Sequence, residues 1–219
     1  METSPRIALV SGASGLVGGA LLDTLLEHPR YREIHSLGRR PLPRQHPKLV
    51  QHTVDFARLD AQALPSAQDA FCTLGTTIKK AGSQEAFRAV DQEAVLNFAR
   101  AARRAGVQRF VIVTALGANA RSRVFYNRVK GETEDALKTL GFESLIILQP
   151  SLLLGERSES RIGEQVAGVL ARALAPLLRP LAARPIEART VARAMVALAH
   201  QGPPGTRVVP SGELHALGA

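Results

Sequence analysis

The sequence predicts a doubly wound α/β domain, one parallel sheet with helices on both faces. Three observations predict it. Short β-rich runs alternate with helical patterns along most of the chain. Runs such as VIV (111–113) and LIIL (145–148) are continuously apolar, as strands buried on both faces are. The first such run leads directly into a glycine-rich turn, SGASGLVGG (11–19), that opens a helix.

Residues 6–10 (RIALV) read as the first strand and 15–28 as the first helix. The second and third strands are 33–37 (EIHSL) and 49–54 (LVQHTV), with a short helix near 59–64. The fourth strand is 69–74 (DAFCTL). The clearest helix follows at 84–105, where Phe87, Val90, Ala94, Val95 or Leu96, and Phe98 recur near helical spacing and Gly106 stops the pattern. A fifth strand at 109–114, a helix at 123–140 and a sixth strand at 144–149 complete the alternation. After Gly155 the regularity changes: 162–178 and 188–200 read as helices and 206–210 (TRVVP) as one last strand. No repeat, low-complexity tract or long linker divides the chain. Residues 1–219 are expected to form one domain, with about 155–219 a small C-terminal elaboration on its substrate side.

The 219 residues are 45% hydrophobic and 21% charged, enough to bury a sheet, and with few aromatics and no Trp the core must be mainly Leu, Val, Ile and Ala. The lone cysteine, Cys72, excludes an internal disulfide and a multi-cysteine metal site; as part of a buried strand it reads as a packed thiol. The six histidines show no metal-ligand spacing, so no metal is expected. The net charge of +9 comes mostly from scattered arginines, with no basic block, so it reads as a surface that attracts anionic ligands rather than nucleic acid. The start of the chain lacks a signal-peptide pattern. The most apolar stretch, 166–183, is broken by Arg172, Pro176, Arg179 and Pro180. A cytoplasmic protein with no membrane partner is the expectation.

At the first strand–helix junction, Gly12 permits the sharp turn, Gly15 lets phosphate approach the backbone, and Gly18 lets the helix pack on the strand. With Ser14, Leu16 and Val17 they form a candidate pyrophosphate cradle at a helix N-terminus. The spacing is G-x-x-G-x-x-G rather than G-x-G-x-x-G, and a structural glycine corner would also explain it. Arg39 and Arg40 end the second strand where an acid would read the 2′-hydroxyl of NAD. Arginine there suits the 2′-phosphate of NADP, although a solvated basic turn before Pro41 is the plainer alternative. Asp55, with Phe56, follows the third strand and could meet the adenine edge, or Asp55 could simply be a turn residue.

Tyr126 and Lys130 stand four residues apart, on one face of a predicted helix. An ammonium there lowers a phenol's pKa and fits it for proton transfer; a surface Tyr beside a solvated Lys has the same spacing. Thr114, ending the fifth strand, offers a hydroxyl that could polarise a carbonyl. Glu134 is accounted for by a solvated face or an ion pair with Lys138; Lys79 and Lys80 could meet phosphate or an anionic substrate, with an exposed surface the plainer account.

The segments SGASGLVG, GRR, YNRVKGE and QPSLLLG together resemble the short-chain dehydrogenase/reductase superfamily, in its extended or atypical branch. FCTLGTTIKKAGSQEAFRAVD (71–91) and ERSESRIGE (156–164) are similar, more narrowly, to the Tat-interacting oxidoreductase-like proteins and their bacterial relatives. The resemblance implies a Rossmann-like fold, NADP(H), and a Thr114–Tyr126–Lys130 catalytic set with Lys130 also holding the nicotinamide ribose. It further implies that Leu74, Gly75 and Thr76 run beside the cofactor, and that Gln149, Pro150, Ser151 and Leu152 meet the nicotinamide amide. Many relatives carry Asn where this chain has Asp91, so a water-relay role and a structural cap or pair both stay open for Asp91.

The resulting expectation is an NADPH-dependent oxidoreductase acting on a carbonyl or alcohol of a small molecule, as a monomer or homodimer. The competing expectation is an NADP(H)-binding regulatory or interaction protein with little turnover. A nucleotide-sugar epimerase or dehydratase is disfavoured by the short stretch after residue 155.

Overall fold

A computed structural model describes residues 5–155 and 184–218 of the protein. The helix expected over 162–178 and the polar run 156–161 lie outside the described residues. Seven strands form one parallel sheet: β1 (Arg6–Ser11), β2 (Tyr31–Gly38), β3 (Leu49–Thr53), β4 (Asp69–Cys72), β5 (Arg109–Val113), β6 (Ser144–Gln149) and β9 (Gly205–Pro210). Their order is β3-β2-β1-β4-β5-β6-β9, and β7 (Leu153–Leu154) pairs separately with β8 (Ile186–Glu187).

The apolar runs have two buried faces because successive side chains point to opposite sides. Val111 and Val113 of β5 join one core cluster, while Phe110 and Ile112 join the other. Ile146 and Leu148 of β6 divide from Leu145 and Ile147 in the same way. The first cluster is covered by α1 (Leu16–Glu27) and α6 (Ala188–Gln201), and the second by α4 (Val95–Arg104) and the end of α5 (Phe125–Lys138). The described C-terminal residues therefore complete the main layers: α6 packs in the core, β9 extends the sheet beside β6, and α7 (Ser211–Leu217) follows β9.

The helix expected over 84–105 is divided into α3 (Gln84–Arg88), a π-helical turn (Ala89–Ala94) and α4. A short α2 (Ile78–Ala81), which periodicity does not announce, precedes it, with the Thr77 hydroxyl accepting from the Lys80 N–H. The short helix expected near 59–64 is a 3₁₀ segment, Phe56–Ala61. β4 ends at Cys72, two residues before the expected limit. Thr73 still donates its N–H to Ser11 O at 2.9 Å, and the chain then leaves the sheet.

At the amino end of the sheet, buried Asp69 accepts from Arg6 at 2.5 and 2.7 Å and from the Tyr31 hydroxyl at 2.9 Å. His200 of α6 stacks over Tyr31, with ring centres 5.6 Å apart, and lies 4.3 Å from the His28 ring. The opposite, carboxyl end has the topological switch. From β1 the chain winds outward to β2 and β3, then returns to β4 and proceeds the other way, which leaves a crevice between the loops after β1 and β4.

Candidate functional site

The glycine turn lies at that switch point. Gly12 has φ +85°, and a side chain there would come within 2.6 Å of the Thr73 carbonyl carbon. Gly18 packs just as closely: a methyl would stand 2.6 Å from Thr73 Oγ1 and overlap the Gly12 carbonyl oxygen. Thr73 Oγ1 in turn donates to Ser11 O at 2.9 Å, fastening the two loops together. Ser14 and Gly15 are exposed at the tip, Leu16 is half-buried, and Val17 packs in the core. No side chain caps the N-terminus of α1 and no acid occupies its first turn. Its orphan N–H groups and partial positive charge therefore face the crevice, a fit for the pyrophosphate of a dinucleotide. The sequence pattern missed only Thr73.

Arg39 and Arg40 follow β2, in register beside β1, and both are exposed. They stand at the same sheet end as the glycine turn, where a 2′-phosphate would need them. Asp55 is also exposed, but it accepts the Ala57 N–H at 3.0 Å and caps the 3₁₀ segment, which is the turn role. Phe56 is 8% exposed and its ring belongs to the core cluster beneath, while its carbonyl accepts from Asn97 Nδ2 at 3.0 Å. The ring therefore serves the core and is not presented to a cofactor.

Tyr126 and Lys130 occupy the first two turns of α5, which starts at the carboxyl end of the sheet. Tyr126 is half-buried against Phe87 (ring centres 5.4 Å apart), and the Lys130 ammonium lies 6.0 Å from the Tyr126 ring centre. Lys130 is only 5% exposed, and its Nζ is 2.7 Å from Asp91 Oδ1. Burial pulls the Lys130 pKa down. The ion pair and hydrogen bond with Asp91, helped by Tyr126 and Cys72, outweigh burial and leave it above the ordinary lysine value. The loop of Leu74, Gly75 and Thr76 passes over this pair. A methyl at Gly75 would be 3.4 Å from Asp91 Oδ1 and 3.7 Å from Lys130 Nζ, so the loop packs closely over the pair.

Thr114 differs from its expected role. Its hydroxyl donates to Glu134 Oε1 at 2.5 Å and also lies 3.3 Å from Leu148 O, with the residue 7% exposed. A hydroxyl has one proton to donate, so a hydroxyl committed to a carboxylate has none for a substrate carbonyl. Glu134 is not on a solvated face and does not pair with Lys138. It is 4% exposed and accepts from Gln149 Nε2 at 3.0 Å on both oxygens, while Lys138 pairs with Asp135 at 2.8 Å. The spacing 126, 130, 134 was the available signal, since it puts Glu134 on the buried face of Lys130. In the segment after β6, Pro150 O accepts from Leu116 N and Leu152 O from Ile186 N, both at 2.9 Å. The Ser151 hydroxyl bonds Arg184 O and accepts from Ser211 Oγ at 3.0 Å. These bonds brace the segment through its carbonyls and the Ser151 hydroxyl, and Leu152 is 44% exposed.

Comparison with known proteins identifies the family and the fold. The family described as NAD(P)H-binding matches residues 12–201. The chain is 35% identical over 185 residues to the mitochondrial protein FMP52 of Coccidioides immitis, covering 78% of this chain and 75% of the relative. It is 36% identical over 167 residues to HTATIP2 of Rattus norvegicus, covering 74% and 69%. Among solved structures, human epimerase family protein SDR39U1 with NADPH superposes at a TM-score of 0.64 (18% identity, 93% of this chain and 74% of that one). Uronate dehydrogenase from Agrobacterium tumefaciens superposes at 0.69 (16% identity, 94% and 76%). The cytoplasmic expectation is corrected by the relatives, because several FMP52 proteins are named as mitochondrial. A single cysteine is compatible with a reducing compartment but does not say which one. Among the described residues no helix is long and apolar enough to cross a membrane. The glycine turn at the switch point, the match over most of the chain and these relatives agree: the chain belongs to the NAD(P)H-binding family, beside the FMP52 and HTATIP2 proteins.

Proposed function

We propose that the protein is an NADPH-dependent oxidoreductase that moves hydride to or from a carbonyl or alcohol carbon of a small molecule. The observation that carries this reading is the Tyr126 phenol, half-buried at the crevice, with the buried Lys130 ammonium 6.0 Å from its ring centre. NADPH, when bound, supplies the hydride. In the reducing direction Tyr126 donates its proton to the substrate oxygen, and Lys130 stabilises the phenolate left behind. Solvent access on its open side lets Tyr126 recover the proton. The glycine turn and the α1 N-terminus hold the pyrophosphate, and Arg39 and Arg40 select the 2′-phosphate. Thr114 is assigned a structural role with Glu134. The inferred partner is a small molecule, with neither nucleic acid nor membrane involved, and the active unit is a monomer or homodimer.

Tyr126→Phe tests the assignment. NADPH binding should persist, and turnover in a carbonyl screen followed by NADPH absorbance should fall by about a hundredfold or more. Unchanged turnover on an identified substrate refutes it. One observation favours a second reading, an NADP(H)-responsive binding protein: Lys130 and Thr114 are both engaged by buried acids. That reading predicts NADPH binding without turnover and a partner captured differently with and without cofactor.

A further inference from the structure

Asp91 lies in the π-helical turn, where the altered winding directs a polar residue into the protein; its side chain is fully buried. Its two oxygens have different neighbours. Oδ2 accepts the Thr76 backbone N–H at 2.8 Å, and Oδ1 faces the Lys130 ammonium at 2.7 Å. Both neighbours are donors. A carboxylate accepts on both oxygens, whereas an amide in the same place would accept one donor and turn its own N–H₂ toward the other. The position therefore calls for an acid rather than the asparagine of a water relay. The backbone around it is fixed as well, since the Thr133 hydroxyl of α5 lies 3.2 Å from Asp91 O.

Resting on the proposed Tyr126/Lys130 chemistry, we propose that Asp91 is the positioning residue of that pair, one carboxylate joining the Lys130 ammonium to the cofactor-facing loop at Thr76. The titratable groups around Lys130 are Asp91 of the π turn, Tyr126 of its own helix and Cys72 of β4. The Cys72 thiol is pushed up by burial and stays neutral, so Asp91 is the full negative charge that keeps Lys130 protonated. Asp91 also makes lysine and loop one unit. A cofactor that touches both meets parts already held in relation to each other, and their ordering need not be supplied on binding.

The test reads Lys130 directly. The chain has five lysines, so labelling lysine with ¹³C at Cε yields a spectrum in which Lys130→Arg identifies the Lys130 signal. In the wild-type apoprotein Lys130 should titrate above the ordinary lysine value. In Asp91→Asn its midpoint should fall by about one pH unit or more, because burial is then opposed only by Tyr126 and Cys72. NADPH affinity should weaken about tenfold as the loop is released. A merely structural Asp91 would alter melting and the Lys130 midpoint but leave NADPH affinity in place. An unchanged midpoint in a folded Asp91→Asn overturns the proposal, as does unchanged NADPH affinity. If Asp91→Asn does not fold, the wild-type titration decides, and a Lys130 midpoint at or below the ordinary lysine value overturns it. These titrations need no substrate. A failure of the catalytic reading, seen with Tyr126→Phe, is therefore distinguishable from a failure of this one.

Discussion

Gly18 and Gly19 are neighbours in α1, yet the structure predicts opposite outcomes for the same substitution. A methyl at Gly18 would stand 2.6 Å from both Thr73 Oγ1 and the Gly12 carbonyl carbon. Neither can yield easily, because Thr73 Oγ1 is bonded to Ser11 O at 2.9 Å and Gly12 is backbone in a left-handed turn. Non-bonded carbons rest about 3.5–4 Å apart, so α1 must retreat by about 1 Å. Overpacking of this kind costs about 3 kcal/mol, at the upper end of the usual range because the opposing atoms are main-chain. Alanine recovers about 1 kcal/mol of helix propensity. Gly18→Ala should therefore lose about 2 kcal/mol, roughly 30-fold in the folding equilibrium and about 4–8 °C in Tm. At Gly19 the nearest atom to a methyl is Ala13 O at 3.7 Å, an ordinary contact. Gly19→Ala should gain about 0.5–1 kcal/mol. Urea denaturation of both variants, with NADPH titrations beside it, makes the comparison. Gly18→Ala should also weaken NADPH, since the helix end that faces the pyrophosphate moves, while Gly19→Ala should not. Equal stabilities, or wild-type NADPH affinity in Gly18→Ala, would refute the cradle.

Replacing Arg39 and Arg40 together by alanine should weaken NADPH by about tenfold or more and leave NADH nearly unaffected. An undiminished preference for NADPH in equilibrium titrations contradicts the 2′-phosphate assignment. Thr114→Val removes the proton donated to buried Glu134 and should cost about 1–3 kcal/mol in urea unfolding, with turnover changed only a few-fold. Lost turnover at full stability would return Thr114 to the catalytic set. His200 is held down to a pKa of about 4 by burial, then by the positive charges of His28 and Arg30; Arg6 adds to this and Asp69 opposes it. The unfolded chain takes up that proton first, near pH 6.5, so the contribution of His200 is complete above 6.5 and is lost as pH falls toward 4. His200→Phe should flatten the fall in urea midpoint over that window, and an unaltered slope would show that other groups cause it.

The features legible in the sequence are those set by local geometry. Gly12, Gly15 and Gly18 are legible because a tight turn and a close helix leave no room for side chains, and composition alone records that. Tyr126 and Lys130 are legible because four residues bring side chains onto one helical face. The apolar runs locate the seven strands of the main sheet within one or two residues, whereas the short β7–β8 pair has no such run to announce it. The partners of buried polar groups were not legible, since they depend on which elements meet. The sequence reading pairs Lys138 with Glu134 and passes over Asp135, adjacent in sequence and about 100° away around the helix. Rotation put Asp135 in solvent with Lys138, and Glu134 against Thr114 and Gln149. Periodicity foresaw one continuous helix over 84–105, but the π turn resets the phase at Asp91, and that reset aims the carboxylate at Lys130.

Those long-range pairings bear directly on which residue would move the proton in the proposed reaction. Of the three residues that the sequence marks for chemistry, Thr114 has its hydroxyl proton on Glu134, and Lys130 has its ammonium on Asp91. Tyr126 stands on the same helical face as Lys130 and Glu134 but at its open end, half-buried where the other two are 5% and 4% exposed. A proton carrier must reach substrate and then solvent within one turnover, and a group sealed in an ion pair reaches neither. The two buried acids thereby separate the roles. Glu134 engages the strand end and Asp91 the ammonium, which in the proposed reaction leaves the phenol at the open end of the face to transfer the proton.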